Sequence, residues 1–292
     1  MKISRTGPNI RIQAPAKLNL FLEVLRKRPD GYHDIESVLQ TISIYDELTL
    51  EPHGSEIRLV TDSADIPTGG DNLVVKAAEL LRTHTGSASG ATIRLEKRIP
   101  VSAGLGGGSS DAAATLVGLD RLWELKLPLE VLHDLAARLG SDVPFFLYGG
   151  TAICRGRGER VTPLEGVPAM TYVLVCPALK VSTKDIYENL PPRDLTRDSR
   201  EIKLFSELLI NRAQPGAVPP FFNRLASVTL KRHEPLKHLA QRMTDCGLAA
   251  VTMTGSGSAF FGIATSRKEA TDIAQRLTRM NVGEVFIAQS IP

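Results

Sequence analysis

The sequence predicts an α+β protein built as two domains, and three observations lead there. Strand-like and helix-like segments mix along the chain without the regular βαβ alternation of a parallel sheet. The 292 residues, 42% of them hydrophobic, are enough to fill two cores. Proline and glycine cluster at 163–168, just ahead of the strongly apolar run Thr171–Cys176, and this marks a boundary. The domains so drawn are 1–165 and 166–292.

From Ile10 to Val24, the residues Ile10, Ile12, Ala14, Ala16, Leu18, Leu20, Leu22 and Val24 share one parity, which is the period of a strand. The opposite parity sets Lys17, Asn19, Phe21 and Glu23 together, facing away from the core. Residues 26–31 have turn chemistry. Strands are expected at 38–51, 56–61 and 91–97, with a helix at 71–84 opened by Asp71 and Asn72. Residues 109–125 read as a helix with Leu116, Leu119 and Leu122 on one stripe and small alanines in its first turns. A second helix, Leu129–Leu139, stops at Gly140, a residue suited to ending helices. Strands follow at 151–155 and 159–163. Beyond the boundary, the polar, proline-rich segment 191–220 reads as a mobile flap around a helix at 201–211. Helices at 223–231 and 234–246, a hairpin at 250–263, a helix at 267–280 and a strand at 283–289 complete the chain.

Composition narrows the function classes. A net charge of +3 is mildly basic, far from the dense stripe of a nucleic-acid binder, and suits an anionic small molecule. Cys154, Cys176 and Cys246 are odd in number and lack a Cys-x-x-Cys spacing, which argues against a disulfide framework or zinc site and for a reducing compartment. No apolar run approaches the roughly 20 residues that cross a bilayer, and the N-terminus lacks the apolar stretch of a secretory signal. A cytoplasmic protein without membrane or nucleic-acid partners is expected.

The most informative segment is 100–114, Pro-Val-Ser-Ala-Gly-Leu-Gly-Gly-Gly-Ser-Ser-Asp-Ala-Ala-Ala. Gly104, Gly106, Gly107 and Gly108 remove the Cβ atoms that would keep a bulky anion from the backbone. A glycine loop running into a helix start presents unpaired N–H groups with the positive end of the dipole behind them. The dipole alone contributes only about 0.3–2 kcal/mol, so the aimed N–H groups and any cation supply the rest. The plain alternative is a tight turn before an ordinary helix. No Gly-x4-Gly-Lys-[Ser/Thr] occurs, and Ser109 stands where a dinucleotide fingerprint wants Gly or Ala, so neither of those folds is expected.

Three other segments each have a plain reading. Lys17 alone reads as a solvated lysine, Asp142 as an N-cap, and Thr254-Gly255-Ser256-Gly257-Ser258 as a glycine hairpin. Together with a phosphate loop they are the parts that a phosphoryl transferase needs: charge stabilisation, a proton acceptor and a positioned hydroxyl.

At this point the chain resembles a family. Residues 100–113 closely resemble the central ATP-binding motif of the GHMP kinases (galactose, homoserine, mevalonate and phosphomevalonate kinases). The lysine strand and the late Thr252–Ala259 segment match in the family order. Three further segments resemble the branch acting on a cytidine diphosphate-linked methylerythritol: Ala14–Leu20, Arg28–His33 and Gly140–Phe146. The resemblance implies a ribosomal protein S5 domain 2-like N-terminal domain and a ferredoxin-like C-terminal one. It implies ATP-dependent phosphorylation of the 2-hydroxyl of that substrate in non-mevalonate isoprenoid precursor synthesis, with Mg²⁺ arriving as MgATP.

The same resemblance implies site roles. Asp142 is the proton acceptor and Lys17 its charge partner. Pro100, Ala103, Gly104, Leu105, Gly106, Gly107, Gly108, Ser109 and Ser110 form the ATP loop, with Asn72 and Lys97 near the adenosine. Asn19, Thr183, Gly255 and Ser256 meet the substrate, while Tyr32, His33 and Tyr187 hold its cytosine by stacking and hydrogen bonds. The metal ligands are unassigned, with Ser109, Ser110 and Asp111 as candidates. A monomer or weak homodimer is expected. One departure stands out: Asn223-Arg224-Leu225-Ala226 lies where these kinases usually show Asn-Asp-Leu-Glu, so Arg224 and Ala226 replace two acids.

Overall fold

The computed structural model describes residues 1–192, 195, 200–211 and 220–292. Its compact units are Met1–Ala16 with Ile44–Val101 and Gly106–Gly149, and Lys17–Ser43 with Ser102–Leu105 and Gly150–Pro292. The cut expected at 165–166 divides the chain once, whereas compactness divides it repeatedly. The reason is that strands β2 (Asn9–Lys27) and β3 (His33–Pro52) are each long enough to serve both units.

In the first unit, β1 (Lys2–Thr6) pairs antiparallel with the start of β2. The end of β3 pairs antiparallel with β5 (Ala91–Glu96), which runs parallel to β4 (Ile57–Thr61). Helix α1 (Leu73–Thr85) joins β4 to β5, capped by Asn72 at its start and by Gly86, at φ 67°, at its end. Helices α2 (Gly107–Leu122), α3 (Leu129–Leu139) and α4 (Val143–Tyr148) pack on one another, and α1 packs on α2 and α3. Close packing explains the small residues of α2. A Cβ at Gly118 would stand 2.8 Å from Ile12 and 2.9 Å from Leu50. Helix α2 begins at 107 rather than 109, because Gly106 takes φ 73° as N-cap and the next two glycines form the first turn.

In the second unit, β2 and β3 are joined by a hairpin turn in which the Arg28 N–H donates to the Tyr32 carbonyl at 2.8 Å. Strand β6 (Thr151–Gly156) pairs antiparallel with β3, and β7 (Arg160–Pro163) with β6. A separate antiparallel sheet has the order β10 (Ala249–Met253), β11 (Phe260–Ala264), β8 (Thr171–Cys176), β12 (Glu284–Gln289). With helices between β8 and β10 and α9 (Arg267–Arg279) between β11 and β12, this is the ferredoxin-like order. Apolar faces of α7 (Ala226–Arg232), α8 (Glu234–Asp245) and α9 fill its core with Val228, Leu239 and Ile273. Short α5 (Thr183–Glu188), with Ser182 as N-cap, and α6 (Arg200–Ile210) complete the described elements.

Two expectations need correction. The face carrying Lys17, Asn19, Phe21 and Glu23 does oppose the apolar parity, but it is covered: these side chains are only 2–4% exposed. The parity set direction, and later elements buried both faces. Residue 223 does not open a helix. Phe222–Asn223 forms the short parallel strand β9 on β2, because Asn223 spends its amide on two carbonyls elsewhere in the unit, and α7 starts only at Ala226. The helix expected at 201–211 is α6; the flap segments 193–194, 196–199 and 212–219 lie outside the described residues.

Candidate active site

The start of α2 is a site built from backbone. Gly106 has no side chain to cap the helix and makes no cap bond, so the first-turn N–H groups of Gly107, Gly108 and Ser109 have no acceptor within the helix. The first intrahelical bond runs from Ser110 N–H to Gly106 O at 2.9 Å. Gly108 is exposed, and a Cβ there would meet only Leu73, at 3.7 Å. Uncapped N–H groups, open space and the positive helix end suit an anion.

Beneath this turn lies a buried charge cluster that sequence reading missed. Lys97 donates from Nζ to Asp111 Oδ2 at 2.8 Å and to the Asp46 carboxylate. Asp46 is fully buried, and its other oxygen accepts the N–H groups of Arg98 and Ile99 at 2.7 and 2.9 Å. A Cβ at Gly107 would come within 3.1 Å of Lys97 Nζ and of Ile99, so the loop rests on this cluster. Burial would lower the Lys97 ammonium, but Asp111 and Asp46 outweigh it and hold it above the usual lysine range. The Asp111 carboxyl is pushed up to about 8, first by burial and then by Asp46, against the pull of Lys97. Raised above its unfolded value, Asp111 keeps its proton in the folded state, so its contribution to stability is lost as pH climbs from about 4 to about 8. Thermal melts across that window are expected to show a steeper fall in Tm for the wild type than for Asp111→Asn; parallel curves would contradict it.

Asp142 precedes α4 with Pro144 in the first turn, yet its side chain makes no capping bond to that helix. It is half-buried, on a helix that packs against α2 in the same unit. Asn72, by contrast, is committed: its Oδ1 caps Val74 N–H at 2.8 Å and its Nδ2 donates to Pro67 O at 2.7 Å.

The second unit assembles Lys17, Asn19 and the 254–256 turn. Lys17, 3% exposed, donates from Nζ to Asn19 Oδ1 at 2.6 Å. That same oxygen accepts the Gly255 N–H at 2.9 Å and lies 3.2 Å from the Thr254 hydroxyl. Asn19 Nδ2 donates to Ser37 Oγ at 2.9 Å. Ala103–Leu105 is tied in: Lys17 N–H donates to Leu105 O at 2.9 Å, and a Cβ at Gly104, with φ +81°, would stand 2.3 Å from Thr254 O. Only glycine fits there. Thr183 Oγ1 and Ser256 Oγ are 2.8 Å apart. The solvated reading of Lys17 fails; the hairpin reading of 254–258 holds and coexists with the network.

The three expected base-binding rings fall in this unit. His33 and Tyr187 rings are 5.2 Å apart and tilted by 33°. Tyr32 is 53% exposed, with the Arg157 guanidinium 5.0 Å from its ring centre. Burial, then Lys27, holds His33 below its usual range, favouring neutral imidazole, which both donates and accepts. A cavity of about 650 Å³ lined by Arg26, Asp34, Glu36 and Arg155 holds none of the expected site residues. Its Arg26 and Arg155 are already paired with Asp34 and Glu36, at 2.7 and 2.8 Å.

Comparison with known proteins bears on this arrangement. Residues 72–150 match the GHMP kinases N terminal domain and residues 202–283 the GHMP kinases C terminal domain. A 4-diphosphocytidyl-2-C-methyl-D-erythritol kinase of Exiguobacterium sibiricum is 43% identical over 282 residues, 96% of this chain and 97% of its own length. One from Pelotomaculum thermopropionicum is 42% identical over 91% of this chain and 93% of its own. The chain belongs to this branch of the GHMP kinase family. A solved 4-(cytidine 5'-diphospho)-2C-methyl-D-erythritol kinase matches with 38% identity, TM-score 0.82 and coverage of 97% and 99% of the two chains. A homoserine kinase from Cytophaga hutchinsonii, 19% identical with TM-score 0.71, covering 100% of this chain and 97% of its own, shares the fold.

In this GHMP kinase, Arg224 occupies the unusual position noted in the sequence, and it pairs bidentately with buried Glu23 at 2.7 Å. Ser37 and Asp46 are site-supporting residues that sequence reading did not name, while Thr254 and Asn223 stood in segments it quoted without giving them this role. Among the described residues no three His, Cys, Asp or Glu side chains cluster to hold a metal ion. Ser110 Oγ and Asp111 Oδ1 are buried without a hydrogen-bond partner among them. An orphaned hydroxyl and carboxyl oxygen are oxygen donors of the kind a hard cation such as Mg²⁺ takes.

Proposed function

We propose that the chain transfers the γ-phosphoryl group of ATP to the 2-hydroxyl of 4-diphosphocytidyl-2-C-methyl-D-erythritol, giving the 2-phosphate and ADP. It is a small-molecule kinase of isoprenoid precursor biosynthesis. The observation that carries the chemistry is the glycine-headed start of α2, uncapped and open, in one packed unit with the carboxylate that heads α4. The acceptor's identity rests on the relatives' names and on Tyr32, His33 and Tyr187.

Phosphoryl transfer needs positioning and charge stabilisation more than covalent help. The N–H groups of 107–109 receive the triphosphate oxygens, and the Asp46–Lys97–Asp111 cluster braces them from below. Asn72 and Lys97 act in ATP binding through the segments they hold. Asp142 accepts the proton of the 2-hydroxyl. Lys17 stabilises the charge that develops at the acceptor, and Asn19 orients both Lys17 and the substrate hydroxyls. The Ser109 and Ser110 hydroxyls would hold a Mg²⁺ arriving with ATP, which would supply neutralisation of the phosphate charge. His33 reads the cytosine edge while Tyr32 and Tyr187 supply ring faces, and Thr183, Gly255 and Ser256 line the substrate path. Three free buried cysteines suit a cytoplasmic setting; among the described residues no helix is long and apolar enough to cross a membrane.

The reading is tested by steady-state ATP-dependent phosphorylation of the diphosphocytidyl substrate beside homoserine and mevalonate. Turnover confined to the cytidine-linked alcohol is expected. Comparable kcat/KM on all three would overturn the assignment of the acceptor.

A further inference from the structure

We infer that the Glu23–Arg224 ion pair is a positioning device for Lys17 and Asn19, acting through the short strand β9 and the 254–256 turn. The inference rests on the catalytic reading of Lys17 for its kinetic consequence, but its structural content stands apart from that reading.

Glu23 is 2% exposed, and a carboxylate so buried requires close partners. It has them. Arg224 Nε and Nη2 each lie 2.7 Å from a different carboxylate oxygen, and Val24 N–H donates to Oε1 at 2.9 Å. Two parallel bonds from a planar guanidinium fix angle as well as distance, which an ammonium does not. The same guanidinium lies 4.9 Å from the Phe222 ring centre, and that ring is 5.4 Å from Phe21. Arg224 N–H also donates to Leu22 O at 2.8 Å.

Strand β9 pairs with β2 through only two residues, Phe21 with Phe222 and Leu22 with Asn223. So short a ladder specifies its register weakly, and a slip of one residue would turn Asn223 to the other face. In the present register Asn223 Nδ2 donates to Met253 O at 2.7 Å and Gly255 O at 2.8 Å. The turn so held donates Gly255 N–H to Asn19 Oδ1, the oxygen that also receives Lys17 Nζ. The path closes on β2: Glu23 to Arg224, Asn223 to the turn, the turn to Asn19, and Asn19 to Lys17.

Removing Arg224 alone would strand the Glu23 carboxylate in the interior, so the informative variant is Glu23→Gln with Arg224→Met, which buries no charge. In the full-length protein, Tm, amide hydrogen exchange over 252–257, kcat and the KM values are measured for it, with Lys17→Met alongside. Tm near wild type is expected, with exchange over 252–257 faster by about tenfold or more. The kcat is expected to fall by about 10- to 100-fold through misplacement, with KM for ATP unchanged. Wild-type exchange and wild-type kcat in the double variant would overturn the inference. Should that variant fold poorly, Arg224→Lys keeps the charge but loses the fork. Faster exchange and lower kcat are expected there too, and wild-type behaviour would again overturn it. Wild-type turnover in Lys17→Met would instead remove the catalytic reading of Lys17, and the exchange result alone would then decide the positioning claim.

Discussion

Asp142→Asn is expected to abolish phosphoryl transfer while leaving ATP binding in place. The amide matches the carboxylate in size but does not take up the proton that the acceptor hydroxyl must lose. General-base removal of this kind costs about 10²- to 10⁴-fold in turnover. The fold should tolerate the change, because the amide keeps the shape of the carboxylate and α4 is held by buried Val143, Pro144, Phe145 and Phe146. The N–H groups at the start of α2 are untouched, so affinity for a non-hydrolysable ATP analogue should match wild type in calorimetry. Single-turnover phosphorylation at wild-type rate would remove Asp142 from the base role.

Lys17→Met is expected to lower kcat by about 10²-fold or more, the scale of losing one preorganised charge at a developing anion. The methionine keeps most of the aliphatic volume in a position that is 3% exposed. Asn19 retains Ser37, Thr254 and Gly255 as partners, so the local scaffold should survive and Tm should change little by comparison. Lys17→Arg should not restore the rate, since a planar guanidinium neither fits a buried lysine site nor places its charge at one point. Equal loss of Tm and kcat in Lys17→Met would mark the residue as structural.

What was legible in the sequence was local chemistry. Four glycines before an alanine-rich stretch announce an open helix start because the effect needs no distant partner. The strand parity of residues 10–24 was equally plain, since pleating alone dictates it. Whether the second face is covered is a matter of later elements, and Lys17, Asn19 and Glu23 turned out buried for that reason. The supporting network was illegible because its partners are remote in the chain. Lys97 meets Asp46 across 51 residues, and Asn19 meets Thr254 across 235. Arg224 looked like a lost acid until Glu23, 201 residues away, appeared beside it. No spacing rule joins such residues; only the fold does.

The most direct test is a crystal structure with a non-hydrolysable ATP analogue and the diphosphocytidyl alcohol bound. The β- and γ-phosphate oxygens should accept the N–H groups of Gly107, Gly108 and Ser109, with the substrate's 2-hydroxyl about 3 Å from the Asp142 carboxylate. A triphosphate seated away from residues 106–110, or a residue 142 carboxylate facing no substrate hydroxyl, would contradict it.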